Sequence, residues 1–203
     1  MKILKISILA ASMIVAGTIA VYAGQNAKTA SETPAIIIQT EKIPEVTEAE
    51  VEDIYKDFVY IPDTMSEENQ KYLWTLCKEN NIDFAFVMAL ISCESSFRES
   101  VISKTNDYGL MQINRSNHKR LKAELGITDF LDAEQNMQAG MYMLRELFEA
   151  YEEPHLVLMA YNMGDDTAKK LWKKGIYSSK YSRAVMAKQE EYNAYIEGVN
   201  TNE

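Results

Sequence analysis

The sequence predicts an all-α domain, mainly helical with one short loop or β-like segment, carried behind an N-terminal stretch of different character. Three observations predict it. From Ser66 onward apolar residues recur three and four apart, as in Tyr72, Leu73, Leu76 and Cys77, which is the period of a helix. Ser or Asp stands ahead of most such runs, where an oxygen can accept from the open amides of a first turn. Only residues 101–113 read as loop or short strand.

At 203 residues the chain suits one ordinary domain plus appendages. In residues 1–23, Lys2 and Lys5 precede an uncharged run over 6–23 that closes with Val21-Tyr22-Ala23, small residues where an exporting peptidase cuts. These 18 residues are at the short end for a spanning helix, at about 1.5 Å rise per residue, so a cleaved signal peptide and an uncleaved membrane anchor are both expected readings. Either sends the chain out of the cytoplasm. Residues 24–65 mix Ala, Thr, Gln, Pro34 and Pro44 with acids over 41–57, the composition of an acidic linker or stalk. Within it the more apolar 51–61 is expected to pack on the domain as a first element.

The domain itself is placed at 66–203. Ser66 caps a first helix with Glu67 and Glu68 in its opening turn, and Asn80-Asn81 ends it. Asp83 caps a second, whose Phe84, Val87, Met88, Leu90 and Ile91 are core and whose last turn holds Glu94. Further helices are predicted over 117–125, 133–151, 155–161, 167–173 and 179–195, with Asp132, Asp166 and Ser178 as starts.

The net charge of -9 disfavours nucleic acid as a partner, because phosphate binding wants a basic face. No Cys and His cluster suggests zinc, and no metal or cofactor is expected. Cys77 and Cys93 are compatible with one disulfide in an exported protein or with two buried thiols. His118 and His155 stand alone and read as structural.

Chemistry is expected at Glu94. It stands one helical turn past Leu90 and two past Val87, so a helix places its carboxyl on the apolar face. Burial there raises a carboxyl pKa, and an acid still protonated near neutrality can protonate a departing glycosidic oxygen.

Glu94-Ser95, then Ser103, then Gly109-Leu110-Met111-Gln112, then Ala160-Tyr161-Asn162-Met163-Gly164 resemble the soluble lytic transglycosylase domain of the lysozyme-like superfamily, related to goose-type lysozyme. The resemblance covers roughly residues 66–195. It implies cleavage of the bond between N-acetylmuramic acid and N-acetylglucosamine in peptidoglycan strands, with a 1,6-anhydro end and no water consumed. Glu94 would act as acid and then as base, and the sugar's acetamido oxygen would support the positive charge. By the same resemblance Ser103 orients the acetamido group and Gln112 faces the sugar groove. Tyr161 brings its hydroxyl close to the glutamate, Asn162 contacts substrate, and Tyr181 closes the site from the last helix. Asn136 and Gly140 match a pattern read as architecture.

Asp107 departs from most members, which carry a small residue there. It serves either as a second carboxylate, making the protein a hydrolytic muramidase, or as a turn residue bonding its own loop. A wall-binding or secretion-scaffold protein that has lost turnover is the further alternative. The expected protein is a monomer, membrane-anchored or secreted to the cell wall.

Overall fold

The computed structural model describes residues 53–201, so the expectations for 1–52 lie outside the described residues. Helix α1 (Glu67–Asn80) opens where the Ser66 hydroxyl accepts from the Asn69 amide at 3.2 Å. It closes at Asn81, which takes the left-handed conformation at φ 52° and returns its N–H to the Cys77 and Lys78 carbonyls.

Helix α2 (Phe84–Ser95) is the axis of the molecule. Asp83 accepts from the Phe86 amide at 2.7 Å, and from Phe84 through Ile91 every residue is buried. A helix apolar all round belongs in a core, and each of its large side chains contributes roughly 1.5–3 kcal/mol by leaving water. It packs most extensively along α7 (Lys180–Asn200). Its last turn leaves the core and ends at Ser96 with φ 51°, which brings Glu94 to the boundary between interior and surface.

The segment 101–114 returns as a small hairpin. Strands β1 (Asp107–Tyr108) and β2 (Ile113–Asn114) pair antiparallel, Asp107 opposite Asn114 and Tyr108 opposite Ile113, with Ile102 bridging to Tyr108. Helix α3 (Arg115–Leu125) starts two residues earlier than the apolar pattern, because Asn114 accepts from the Ser116 amide at 3.0 Å and so caps a polar first turn. Helix α4 (Ala133–Tyr151), capped by Asp132, packs against α1 and α5 (Pro154–Met163).

The predicted caps of two helices move, one by two residues and the other by one. Helix α6 (Asp165–Trp172) begins before Asp166, directly after Gly164, with no side-chain cap. Helix α7 is capped by Ser179 and not by Ser178, because Ser179 and Ser182 bond each other's amides reciprocally while the Ser178 hydroxyl accepts from Arg183.

Residues 53–65 pack on this body, as expected of the apolar stretch. Phe58 meets Trp74 and Phe84 edge to face at 5.8 and 6.1 Å, and the Trp74 indole donates to the Ile54 carbonyl at 2.8 Å. Buried Gln70 accepts from the Ile61 amide at 3.0 Å and donates to the Ile61 and Met65 carbonyls, both at 2.9 Å. The folded unit therefore begins upstream of Ser66. Among the described residues no helix is long and apolar enough to cross a membrane.

Candidate active site

Glu94 is half-buried, and Tyr181, from the first turn of α7, donates its hydroxyl to Oε1. Burial raises the Glu94 pKa from its ordinary 4.5 to about 7; the Tyr181 bond opposes the rise, and the negative charge of Asp107 adds to it. Protonated and ionised forms are thus both well populated near neutral pH. Tyr161 stands close enough for the Glu94 and Asp107 charges, after burial, to push its hydroxyl well above the usual 10. Its hydroxyl, however, donates to the Met111 carbonyl at 2.8 Å. The hydroxyl bonded to the glutamate is that of Tyr181, while that of Tyr161 stands near the glutamate and bonds elsewhere. The cause is tertiary: α7 lies along α2 and brings its first turn over the end that carries Glu94.

Asp107 is held by its own loop. One carboxylate oxygen accepts from Ser103 at 2.6 Å and from Thr105, the other from Asn114 at 2.6 Å. Partial burial pushes its pKa up, but the bonds from Ser103, Thr105 and Asn114 outweigh it, and the carboxyl titrates below its ordinary value. The Ser103 hydroxyl also accepts from the Thr105 and Asp107 amides at 3.1 and 3.0 Å, so its proton and lone pairs are committed within the loop.

Gln112 takes φ 48° and folds back, donating to the Gly109 carbonyl at 2.8 Å. Its amide nitrogen ties the turn, which leaves its carbonyl oxygen as the group free to face a ligand. Asn162 lies exposed just before the end of α5.

Helix α4 is the platform for this turn. The fully buried Asn136 donates to the Tyr108 and Phe130 carbonyls, both at 2.8 Å, and accepts from the Met111 amide at 2.8 Å. One turn on, Gly140 lies under Met111, where an added Cβ would stand 2.2 Å from the sulfur. Gly109, at φ 72°, presses so closely that its Cβ would stand 2.4 Å from the Asn136 amide nitrogen. A chain of contacts therefore runs from α4 through the Met111 backbone to Tyr161. The four-residue spacing of Asn136 and Gly140 already put them on one helix face. The bonds of Thr105 and Asn114 to Asp107 carried no comparable signal.

Both cysteines are free, so the disulfide is not formed and the reading as two thiols holds, except that only Cys77 is buried: the two lie on different helices, and Cys93 is exposed. His118 stacks on Phe130 at 3.6 Å with a ring nitrogen 3.2 Å from the Ile113 carbonyl, and His155 meets the Ser182 hydroxyl at 3.0 Å. Among the described residues no group of three His, Cys, Asp or Glu gathers as metal ligands. An open cavity of about 630 Å³, floored by Ile82, Phe86, Phe148 and Met186, lies at the opposite end of α2 and takes no part in this site.

Comparison with known proteins bears on the whole arrangement. A membrane-bound lytic murein transglycosylase F from Pseudomonas savastanoi is 30% identical over 102 residues, 47% of this chain and 20% of the relative. The protein of the same name from Desulfosudis oleivorans is 35% identical over 92 residues, 42% of this chain and 19% of the relative. The chain thus spans about a fifth of the length of the curated relatives it matches. Among solved structures, the 70 kDa soluble lytic transglycosylase of Escherichia coli superposes with a TM-score of 0.55 at 19% identity, covering 62% of this chain and 24% of that one. Lytic transglycosylase Slt of Pseudomonas aeruginosa gives 0.54 at 18%, with the same coverage. These likenesses show the fold. The family model for the transglycosylase SLT domain matches residues 72–184, from α1 across Glu94, the hairpin and α4 to the first turn of α7, and the chain accordingly belongs to the transglycosylase SLT domain family.

Proposed function

We propose that this protein is a peptidoglycan lytic transglycosylase acting outside the cytoplasm, with residues 1–23 as signal or anchor, a linker after them, and the helical unit as catalytic domain. The observation that carries the reading is a shielded carboxyl, Glu94, with a tyrosine hydroxyl on one oxygen and a pKa of about 7. Protonated Glu94 gives its proton to the oxygen between N-acetylmuramic acid and N-acetylglucosamine as that bond breaks. The carboxylate left behind takes the proton from the C6 hydroxyl of the muramic sugar, whose oxygen closes on the anomeric carbon as a 1,6-anhydro ring. The Tyr181 bond favours the ionised form and so supports the first step, in which Glu94 gives up its proton and becomes a carboxylate. Gln112, through its carbonyl oxygen, and Asn162 bind the sugar in this reading. Ser103 acts through Asp107, as a member of the loop. The names of the relatives, membrane-bound lytic murein transglycosylases, support wall strands as substrate and a membrane setting.

Hydrolysis assisted by Asp107 is the second reading, because its charge is close enough to act on Glu94. Against it, Asp107 already accepts from Ser103, Thr105 and Asn114, which suits a turn residue better than a nucleophile. The test is mass spectrometry of sacculi digested by the purified protein, with Glu94→Gln as control. Anhydro-ended products that vanish in the control are expected. Reducing ends alone would favour Asp107-assisted hydrolysis, and binding with no muropeptide release would favour a silent scaffold.

A further inference from the structure

The net charge of -9 conceals a local reversal: residues 167–189 contain seven Lys or Arg and no Asp or Glu. Two of the seven are paired, Lys169 with Asp165 at 2.6 Å and Lys188 with Glu191 at 2.5 Å. Lys170, Lys173, Lys174, Lys180 and Arg183 are exposed and make no ion pair among the described residues. Between α6 and α7 the turn also presents Ile176 and Tyr177, 44% and 59% exposed. It is an ordered turn: Gly175, at φ 77°, donates to Trp172 at 2.9 Å, and Ile176 to Leu171 at 3.1 Å. Along the chain the strip runs into Tyr181, which bonds Glu94. Tyr177 is four residues from Tyr181, and since a chain spans at most about 3.6 Å per residue, their Cα atoms lie within about 14 Å.

Five unpaired cations beside two apolar side chains fit a flexible ligand that carries carboxylates and some apolar surface. Because the strip is continuous with Tyr181, its occupant has to be reachable from a ligand already seated at Glu94. A glycan strand whose acidic peptides project sideways meets that condition. We propose that residues 170–183 form a cationic docking strip for the carboxylate-bearing peptides of the wall polymer, making peptide-bearing strands the preferred substrate. This rests on the reading of Glu94 as a glycan-cleaving site. It also answers how a strongly acidic protein approaches an acidic polymer: the attraction is local.

The test compares the full-length protein with Lys173→Glu/Lys174→Glu and with Lys173→Arg/Lys174→Arg, on glycan strands carrying their peptides and on the same strands with peptides removed. Charge reversal is expected to lower kcat/KM on peptide-bearing strands about tenfold at low salt, through KM, with that loss shrinking as salt screens it. Turnover of bare strands stays within about twofold of wild type, and the arginine variant keeps the wild-type preference. Equal losses on both substrates, or an unchanged preference, would overturn the proposal. So would reversal-sensitive binding to vesicles containing an anionic phospholipid with the peptide preference intact, which would make the strip a bilayer surface. If the wild type cleaves neither substrate, it is the reading of Glu94 that fails. Docking is then judged by co-sedimentation with intact and peptide-stripped sacculi, where reversal-sensitive binding to the intact form alone supports it and any other pattern overturns it.

Discussion

Two carboxyls stand near each other on the end of α2 and on the hairpin after it, and their surroundings push them in opposite directions. Glu94 is shielded with one hydroxyl donor, and its pKa climbs to about 7. Asp107 is less shielded and bonded to Ser103, Thr105 and Asn114, and its pKa falls. Burial without enough donors makes an acid that keeps its proton, whereas a nest of donors makes a fixed charge. The pair also has opposite consequences for stability. A folded-state pKa above the unfolded one means the native state binds more protons between the two values. Glu94 therefore detracts from stability increasingly as pH rises from about 4.5 to about 7. Asp107, with its lowered value, contributes stability above its ordinary 3.8 that is lost as pH falls.

The largest expected effect breaks the comparison on its catalytic side. Glu94→Gln should lower muropeptide release by at least about a thousandfold, the scale of removing an essential general acid. Its melting temperature should exceed that of wild type at pH 8 and approach it at pH 4.5; a gap that does not change with pH would mean that Glu94 is not shielded. Next comes the platform. Asn136→Ala removes three bonds from the 108–111 turn and leaves the Tyr108 and Phe130 carbonyls unsatisfied. Urea denaturation should show a loss of about 2–4 kcal/mol, while the pH at which surviving activity falls off stays in place, since Asn136 touches neither carboxyl.

Smaller effects sharpen the contrast. Tyr181→Phe removes the bond that favours ionised Glu94, so the pKa rises and the alkaline fall in activity should move to higher pH, with roughly tenfold lower kcat. Asp107→Asn removes a charge that opposes ionisation, so the same fall should move to lower pH and by less, Asp107 being the weaker influence on Glu94. Shifts of the same sign in these two variants would show that the carboxyls do not sense each other.

Much of this was legible before any coordinates. The helical period, the caps at Ser66, Asp83 and Asp132 and the break at 101–113 are local properties, and local rules read them. Glu94 could be placed on an apolar face because its helix is apolar all round. Starts without a hydrophobic signal were harder: the polar first turn of α3 hides its cap at Asn114, and α6 starts with no side-chain cap at all. Within the site, two tyrosines were expected near Glu94, and which of their hydroxyls bonds it depends on how α7 lies along α2: Tyr181 bonds the carboxylate and Tyr161 the Met111 carbonyl.

By itself the sequence determined a helical domain with a short hairpin, a carboxyl at the end of its most apolar helix, and a strongly cationic stretch within an acidic chain. Spacing and composition are enough for these, because each follows from residues within a few turns of one another. Only the tertiary structure decided that Asp107 is spent on its own loop, that Asn136 carries the Met111 turn, and that Tyr181 meets a glutamate 87 residues away. Hydrogen bonds fall off within a few tenths of an ångström, so their partners are chosen by packing, and packing is not written in any one stretch of chain.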